Sequence, residues 1–144
     1  MKTVHELLQV KGQASWHVTP DTTVYNALEL MAEKDVGALL VLDAGRLVGI
    51  FSERDYARKV ILKGKTSKET PVKEIMSAKV TCVAPDRSIE ECMALMTDKR
   101  IRHLPVLEND TLIGVISIGD VVKEIISEQE FVIEQLEHYI SGSL

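Results

Sequence analysis

The sequence predicts an α+β fold of two tandem β-α-β-β-α units, packed sheet to sheet with pseudo-two-fold symmetry. Three observations predict it. First, the chain aligns with itself at an offset of 65 residues without a gap. Twelve of the 36 pairs between residues 20–55 and 85–120 are identical, where chance would give roughly two or three at ordinary residue usage. Second, each copy holds one helix-period segment followed by two apolar runs of strand length. Third, each copy ends on the same corner, "GIFSERD" at 49–55 and "GVISIGD" at 114–120.

The elements follow in chain order. "TVHELLQ" (3–9) reads as a short helix, with Thr3 and Glu6 spaced as a capping box. "TPVKEIMS" (70–77) reads as its counterpart, and short extended pieces are expected around Val18 and at 80–83. "TTVYNALELMAEKD" (22–35) and "RSIEECMALMTDKR" (87–100) place Val24, Ala27, Leu28 and Met31, then Ile89, Cys92, Met93 and Met96, on one buried helix face. "GALLVLD" and "RLVGIFS", then "HLPVLEN" and "TLIGVIS", read as strand pairs joined by hairpin turns. A further helix begins at each Ser-x-x-Asp. The expected organisation is a first repeat over 1–62, a charged linker "KGKTSKET" at 63–70, a second repeat over 71–127 and a C-terminal helical extension over 128–144. A unit of ~60 residues buries a marginal core alone, so the two are expected to share one.

The last stretch extends past the repeat. Val122, Ile125, Ile126, Val132, Ile133, Leu136, Tyr139 and Ile140 mark one apolar face, and Glu128, Glu130, Glu134 and Glu137 mark another. Such a helix is expected to meet a partner surface rather than fold back on its own unit, and a homodimer is the expected assembly.

Composition narrows the function. The chain has 144 residues, 45% hydrophobic and 27% charged, with a formal charge of −5. An acidic balance argues against a general nucleic-acid binder. The opening "MKTVHELLQV" lacks a signal-peptide shape, and no apolar run approaches the ~20 residues of a membrane span. A cytoplasmic location without membrane contact is expected. Cys82 and Cys92 lack metal-ligand and redox-motif spacing, and His5, His17, His103 and His138 share no ligand spacing, so no metal is expected. No nucleophile–base set is visible, so no catalytic residue is assigned.

The repeated corner carries the chemistry. Ser52-x-x-Asp55 and Ser117-x-x-Asp120 suit helix N-caps, with the acid at the positive end of the dipole. The same geometry suits a ligand. Free N–H groups at a helix start favour an anion, and a carboxylate accepts two hydrogen bonds, as a ribose diol would offer. Gly49 lets the backbone approach closely. Arg102 and His103 at a strand start are natural charge partners for a phosphate. Trp16, the single tryptophan, is either a packed strand residue or a stacking platform.

Two β-α-β-β-α units carrying G-h-h-S-x-x-D resemble a pair of CBS domains, the module named after cystathionine β-synthase. "RHLPVLEND" (102–110) is similar to the family's strand and turn, while the first unit departs from it with Leu40 in place of Pro and Gly37-Ala38 in place of a bulkier or charged pair. The resemblance covers roughly residues 4–126. It implies a free-standing, non-catalytic regulatory sensor that binds AMP, ADP, ATP or NAD(H), with S-adenosylmethionine or a structural role with degenerate sites as alternatives, and a regulated protein as unknown partner. It also implies two composite sites. One joins Ser52, Arg54 and Asp55 to Thr81, Arg102 and His103. The other joins Ser117 and Asp120 to Trp16, Gly37 and Ala38. The first, richer in cations, is expected to bind AMP more tightly.

Overall fold

A computed structural model describes residues 2–12 and 16–142. The elements are α1 (Val4–Lys11), β1 (His17–Val18), α2 (Val24–Lys34), β2 (Ala38–Asp43), β3 (Arg46–Ser52), α3 (Glu53–Asp55), α4 (Ile89–Lys99), β4 (His103–Glu108), β5 (Thr111–Ser117) and α5 (Ile118–Ser141). A π-helical turn, Tyr56–Ile61, continues α3. The repeat is visible in the backbone. Thr23 and Ser88 cap α2 and α4, while Asp35 and Arg100 end them in the left-handed region at φ 54° and 55°.

β1 lies parallel to β2, and β2 is antiparallel to β3, with Ala38 opposite Ser52 and Leu40 opposite Ile50. β4 pairs with β5. A single parallel bridge, Val83 to Val106, repeats the Val18 to Val41 pairing 65 residues on. Both hairpins turn on two residues with positive φ, Ala44 (50°) and Gly45 (82°), then Asn109 (52°) and Asp110 (64°). That is the type I′ signature. Alanine is the least suited of the four, since the left-handed region costs an L-residue with a plain Cβ about 1–2 kcal/mol. Ala44→Asn is expected to raise stability by up to about 1 kcal/mol, read as a higher urea midpoint at unchanged slope. An unchanged or lower midpoint would contradict this reading of the turn.

The backbone divides into two compact units. One holds Ala14–Thr81 with Asn109–Leu112, and the other holds Met1–Gln13, Cys82–Glu108 and Ile113–Leu144. α1 lies with the second repeat, and the 71–77 stretch lies with the first. The reason is local. Val4 and His5 donate their N–H groups to the carbonyls of Arg87 and Pro85 at 2.8 and 2.9 Å, and Ile89 donates to Lys2 at 3.0 Å. The apolar face of α1 (Val4, Leu7 and Leu8) then joins Ile89, Cys92, Met96, Leu104, Val106, Ile116 and Val121 in one buried cluster. A Cβ on Gly114 would stand 2.8 Å from a Leu8 methyl, so the glycine leaves the room that the Leu8 side chain fills.

In the other unit Val72 and Ile75 join Val24, Ala27, Met31, Leu39, Val41 and Phe51. There Met76 packs over Gly49, where a Cβ would lie 2.5 Å from its sulfur. The 70–77 stretch is shorter than expected, a single 3-10 turn at Val72–Glu74. The helix cannot continue because Ser77 leaves to exchange both backbone hydrogen bonds with Ile50, at 2.9 and 3.0 Å. The Thr3–Glu6 capping box is half-formed. Thr3 Oγ1 accepts the Glu6 N–H at 3.4 Å, and the Glu6 carboxylate takes the Thr3 hydroxyl.

Candidate functional site

Both Ser-x-x-Asp corners form complete capping boxes at a strand-to-helix junction. At the first, Asp55 Oδ2 accepts the Ser52 N–H at 2.9 Å and the Ser52 hydroxyl at 3.1 Å, while Ser52 Oγ accepts the Asp55 N–H at 3.3 Å. At the second, Asp120 Oδ2 accepts the Ser117 N–H at 2.8 Å and Ser117 Oγ accepts the Asp120 N–H at 3.1 Å. The first helical amide is fixed too. Glu53 N donates to Gly37 O at 3.1 Å, and Ile118 N donates to Arg102 O at 2.8 Å. These bonds satisfy donors that every helix start leaves open. The next amides, of Arg54 and Gly119, donate to nothing among the described residues. Each corner is thus a rigid frame with one backbone donor left for an anion.

The same hydrogen bonds decide which residues stand together within each unit. Gly37 and Ala38 stand with Ser52 and Asp55. Arg102 and His103 stand with Ser117 and Asp120. The composite sites that the resemblance implies join residues of both units and are a separate grouping from these neighbourhoods. Hairpin geometry accounts for these neighbourhoods, since a two-residue turn returns the end of the second strand to the start of the first. Arg54 and Arg102 are exposed, His103 is half-buried, and Thr81 is half-buried in the extended chain before Val83. Trp16 is 41% exposed and lies under the Lys34 ammonium, 4.5 Å from the ring centroid. Its ring is a half-open face rather than a core side chain.

Each aspartate also holds a lysine that sequence reasoning did not assign. Lys59, one turn along the first corner's own helix, pairs with Asp55 Oδ1 at 3.2 Å and donates to Ile75 O at 3.1 Å. At the second corner the cation comes from far away in sequence. Lys11, at the end of α1, pairs with Asp120 Oδ2 and donates to Val115 O at 2.7 Å. Burial pushes the Asp120 carboxyl up, but the Lys11 ammonium and the Ser117 donors outweigh it and hold the group below its ordinary value. His103 sits in the same field. Burial first, and then Lys11, press its pKa below the ordinary 6.5; Asp120 opposes them and Arg102 adds to them.

Beside the first corner lies an open pocket of about 430 Å³, lined by the apolar Leu28, Met31, Val36 and Tyr56 and by the carboxylates of Asp35 and Glu53. Cys92 is fully buried, and burial pushes its thiol up to about 11, which fits a core residue and not a nucleophile. Among the described residues no three His, Cys, Asp or Glu side chains converge on a point that could hold a metal. No described helix is long and apolar enough to cross a membrane.

Comparison with known proteins converges on one module. A family model of the CBS domain matches residues 15–62 and 72–127. A curated relative, the CBS domain-containing protein CBSX3, mitochondrial, of Arabidopsis thaliana, is 42% identical over 97% of this chain and 72% of its own length. A solved structure of a protein with CBS domains from Burkholderia ambifaria MC40-6 is 53% identical, with a TM-score of 0.86, and covers 89% of this chain and 96% of that one. A hexameric CBS-CP12 protein from bloom-forming cyanobacteria is 31% identical at a TM-score of 0.74, over 84% of this chain and 66% of that one.

Proposed function

This chain belongs to the CBS domain family as a tandem pair, a module that is in general regulatory and non-catalytic, and on that premise we propose that it is a sensor of adenine nucleotides. AMP, ADP, ATP and NAD(H) are the ligand class. The observation that carries the reading is the repeated corner, with its fixed carboxylate acceptor and one unused backbone donor at each helix start. The carboxylate suits the two ribose hydroxyls, and the donor suits the phosphate. At about 430 Å³ the pocket beside the first corner lies within the usual range of small-molecule sites. Its acidic, apolar lining suits a base and sugar better than a phosphate.

The two corners differ in what they offer an anion. The second heads a helix of 24 residues and gathers Lys11, Arg102 and His103. The first heads three α-helical residues before the π turn. A longer run of aligned peptide dipoles makes the second corner the stronger phosphate site. The test is mass spectrometry of small molecules released on denaturing the purified protein, followed by reloading. An adenine nucleotide recovered unchanged supports a sensor, and a chemically converted one would point to an enzyme.

Self-association is the second part of the proposal, carried by α5. Ile118 and Ile125 pack on the core, and only Val121 is buried outright. Ile126, Val132, Ile133, Leu136, Tyr139 and Ile140 remain exposed on the following turns, Ile140 at 82%. Val122, Ile126, Gln129, Ile133, Leu136 and Ile140 follow the alternating four- and three-residue steps of a coiled-coil seam. Run antiparallel against a second copy, that seam brings Lys123 toward Glu137 of its counterpart, twice by symmetry. Light scattering is expected to give a dimer at tens of micromolar protein, and deletion of residues 128–144 is expected to give a monomer. A monomeric full chain, or a dimer that survives the deletion, would remove α5 from this role.

A further inference from the structure

We propose that the turn at residues 61–65 is a peripheral docking point for an anionic lipid surface. The inference does not depend on the sensor reading. It starts from two apolar side chains that the core does not use. Ile61 and Leu62, at the end of the π turn, are 55% and 76% exposed, and residues 61–66 form an unbroken exposed run. Single apolar residues on a surface need no explanation, but this pair stands in a cationic setting. Six of the chain's 17 Lys and Arg residues fall between positions 54 and 68, against one aspartate, in a chain whose formal charge is −5. Lys59 and Lys65 pair with Asp55 and Glu74 at 3.2 and 3.8 Å, while Arg58 and Lys63 pair with no carboxylate among the described residues. Lys68 holds its ammonium 5.0 Å from the centroid of the Tyr25 ring, which is itself 41% exposed.

The backbone of the turn suits the edge of a bilayer. Gly64, at φ 71°, donates its N–H to Ile61 O at 3.2 Å, and Lys65 donates to Val60 O at 3.0 Å. That is a Schellman ending. Leu62 N donates to Ala57 O at 3.2 Å. These three amides already have partners, as backbone that meets hydrocarbon must. The shape also selects the partner. A run exposed at every residue is a projection, which enters a lipid surface, whereas a peptide or helix needs a groove to bury its side chains. No aromatic residue lies between 57 and 66 to stack on a nucleic-acid base. With Ile61 and Leu62 at the acyl boundary, the lysine stems lie along apolar surface and their ammonium groups reach the headgroup phosphates. The acidic remainder of the chain does not prevent this, because charges more than about 8 Å from the lipid are screened at physiological ionic strength. Composition led to an expectation of no membrane contact; the local charge of this turn is the reason to depart from it.

The test is co-sedimentation of the full chain, without nucleotide, with two kinds of vesicle. One is phosphatidylcholine alone, and the other is equal parts phosphatidylcholine and phosphatidylglycerol. Binding is expected to the anionic vesicles only, and it is expected to fall as salt rises. Lys63→Gln is expected to weaken it about fivefold, the effect of one basic residue at an anionic surface. Ile61→Ser combined with Leu62→Ser is expected to weaken it at least about tenfold. Leu62→Ser alone, at the more exposed position, repeats that test should the double variant fold poorly. Failure of the wild type to sediment with anionic vesicles overturns the proposal. So does binding that the serine variants keep in full and that soluble polyglutamate displaces, since the patch would then be a site for acidic polypeptides. Either result leaves the nucleotide reading untouched.

Discussion

Phe51→Ala is expected to lower the stability of the protein by about 3–5 kcal/mol, the largest effect expected of a single truncation. Phe51 is fully buried on β3, one residue before Ser52, within the cluster of Val24, Ala27, Met31, Leu39 and Val41. Its loss removes the transfer energy of the ring and leaves a cavity that strands on one side and α2 on the other cannot close. Native domains hold only about 5–15 kcal/mol in reserve, so much of the stability would go. Ile116, its counterpart 65 residues on and also fully buried, is expected to cost about 2–5 kcal/mol as alanine. Urea denaturation measures both. A loss under about 1 kcal/mol for Phe51→Ala would mean that β3 is not seated as described, and that the Ser52 corner lacks its rigid support.

Asp120→Ala is expected to weaken the tighter AMP-binding event by at least about 100-fold, because two hydrogen bonds to a charged acceptor are lost at about 1.5–3 kcal/mol each. Asp55→Ala is expected to spare that event. This order follows from the 24-residue helix that starts at the Asp120 corner, against three α-helical residues at the Asp55 corner, and it reverses the order that the resemblance implies. Asp120 also caps α5, so its removal is expected to cost about 1 kcal/mol of stability as well. Asp120→Asn separates the two effects, since an amide oxygen can still accept the Ser117 N–H while the charge is gone. Equal losses in the two alanine variants, or loss only in Asp55→Ala, would contradict the unequal corners.

Local features were the most legible in the sequence. Helix faces, caps and two-residue turns depend on neighbours within four positions, so the capping roles of Ser52 and Ser117 follow from residue type and spacing alone. The offset of 65 carried this further, because paired residues such as Asp35 and Arg100 share even an uncommon backbone conformation. Contacts across many residues were not legible. "TVHELLQ" gives no local sign that its apolar face belongs with Ile89 and Ile116 rather than with the repeat that follows it. Lys11 reads as an ordinary basic residue in the last turn of a helix, and nothing near it in sequence points to Asp120, 109 positions away. That Arg102 and His103 neighbour Ser117 within their own unit is legible too. The short turn at Asn109 and Asp110 already requires that β4 start where β5 ends.

Calorimetric titration of the wild-type chain with AMP, ADP, ATP and NAD(H), each up to millimolar concentration, tests the central claim most directly. The account predicts saturable heat with at least one of these ligands, a tighter and a weaker event for AMP, and a melting temperature that rises with ligand concentration, as binding to the folded state alone requires. Absence of heat and of any thermal shift with all four would contradict it, and would leave the two Ser-x-x-Asp corners as helix caps.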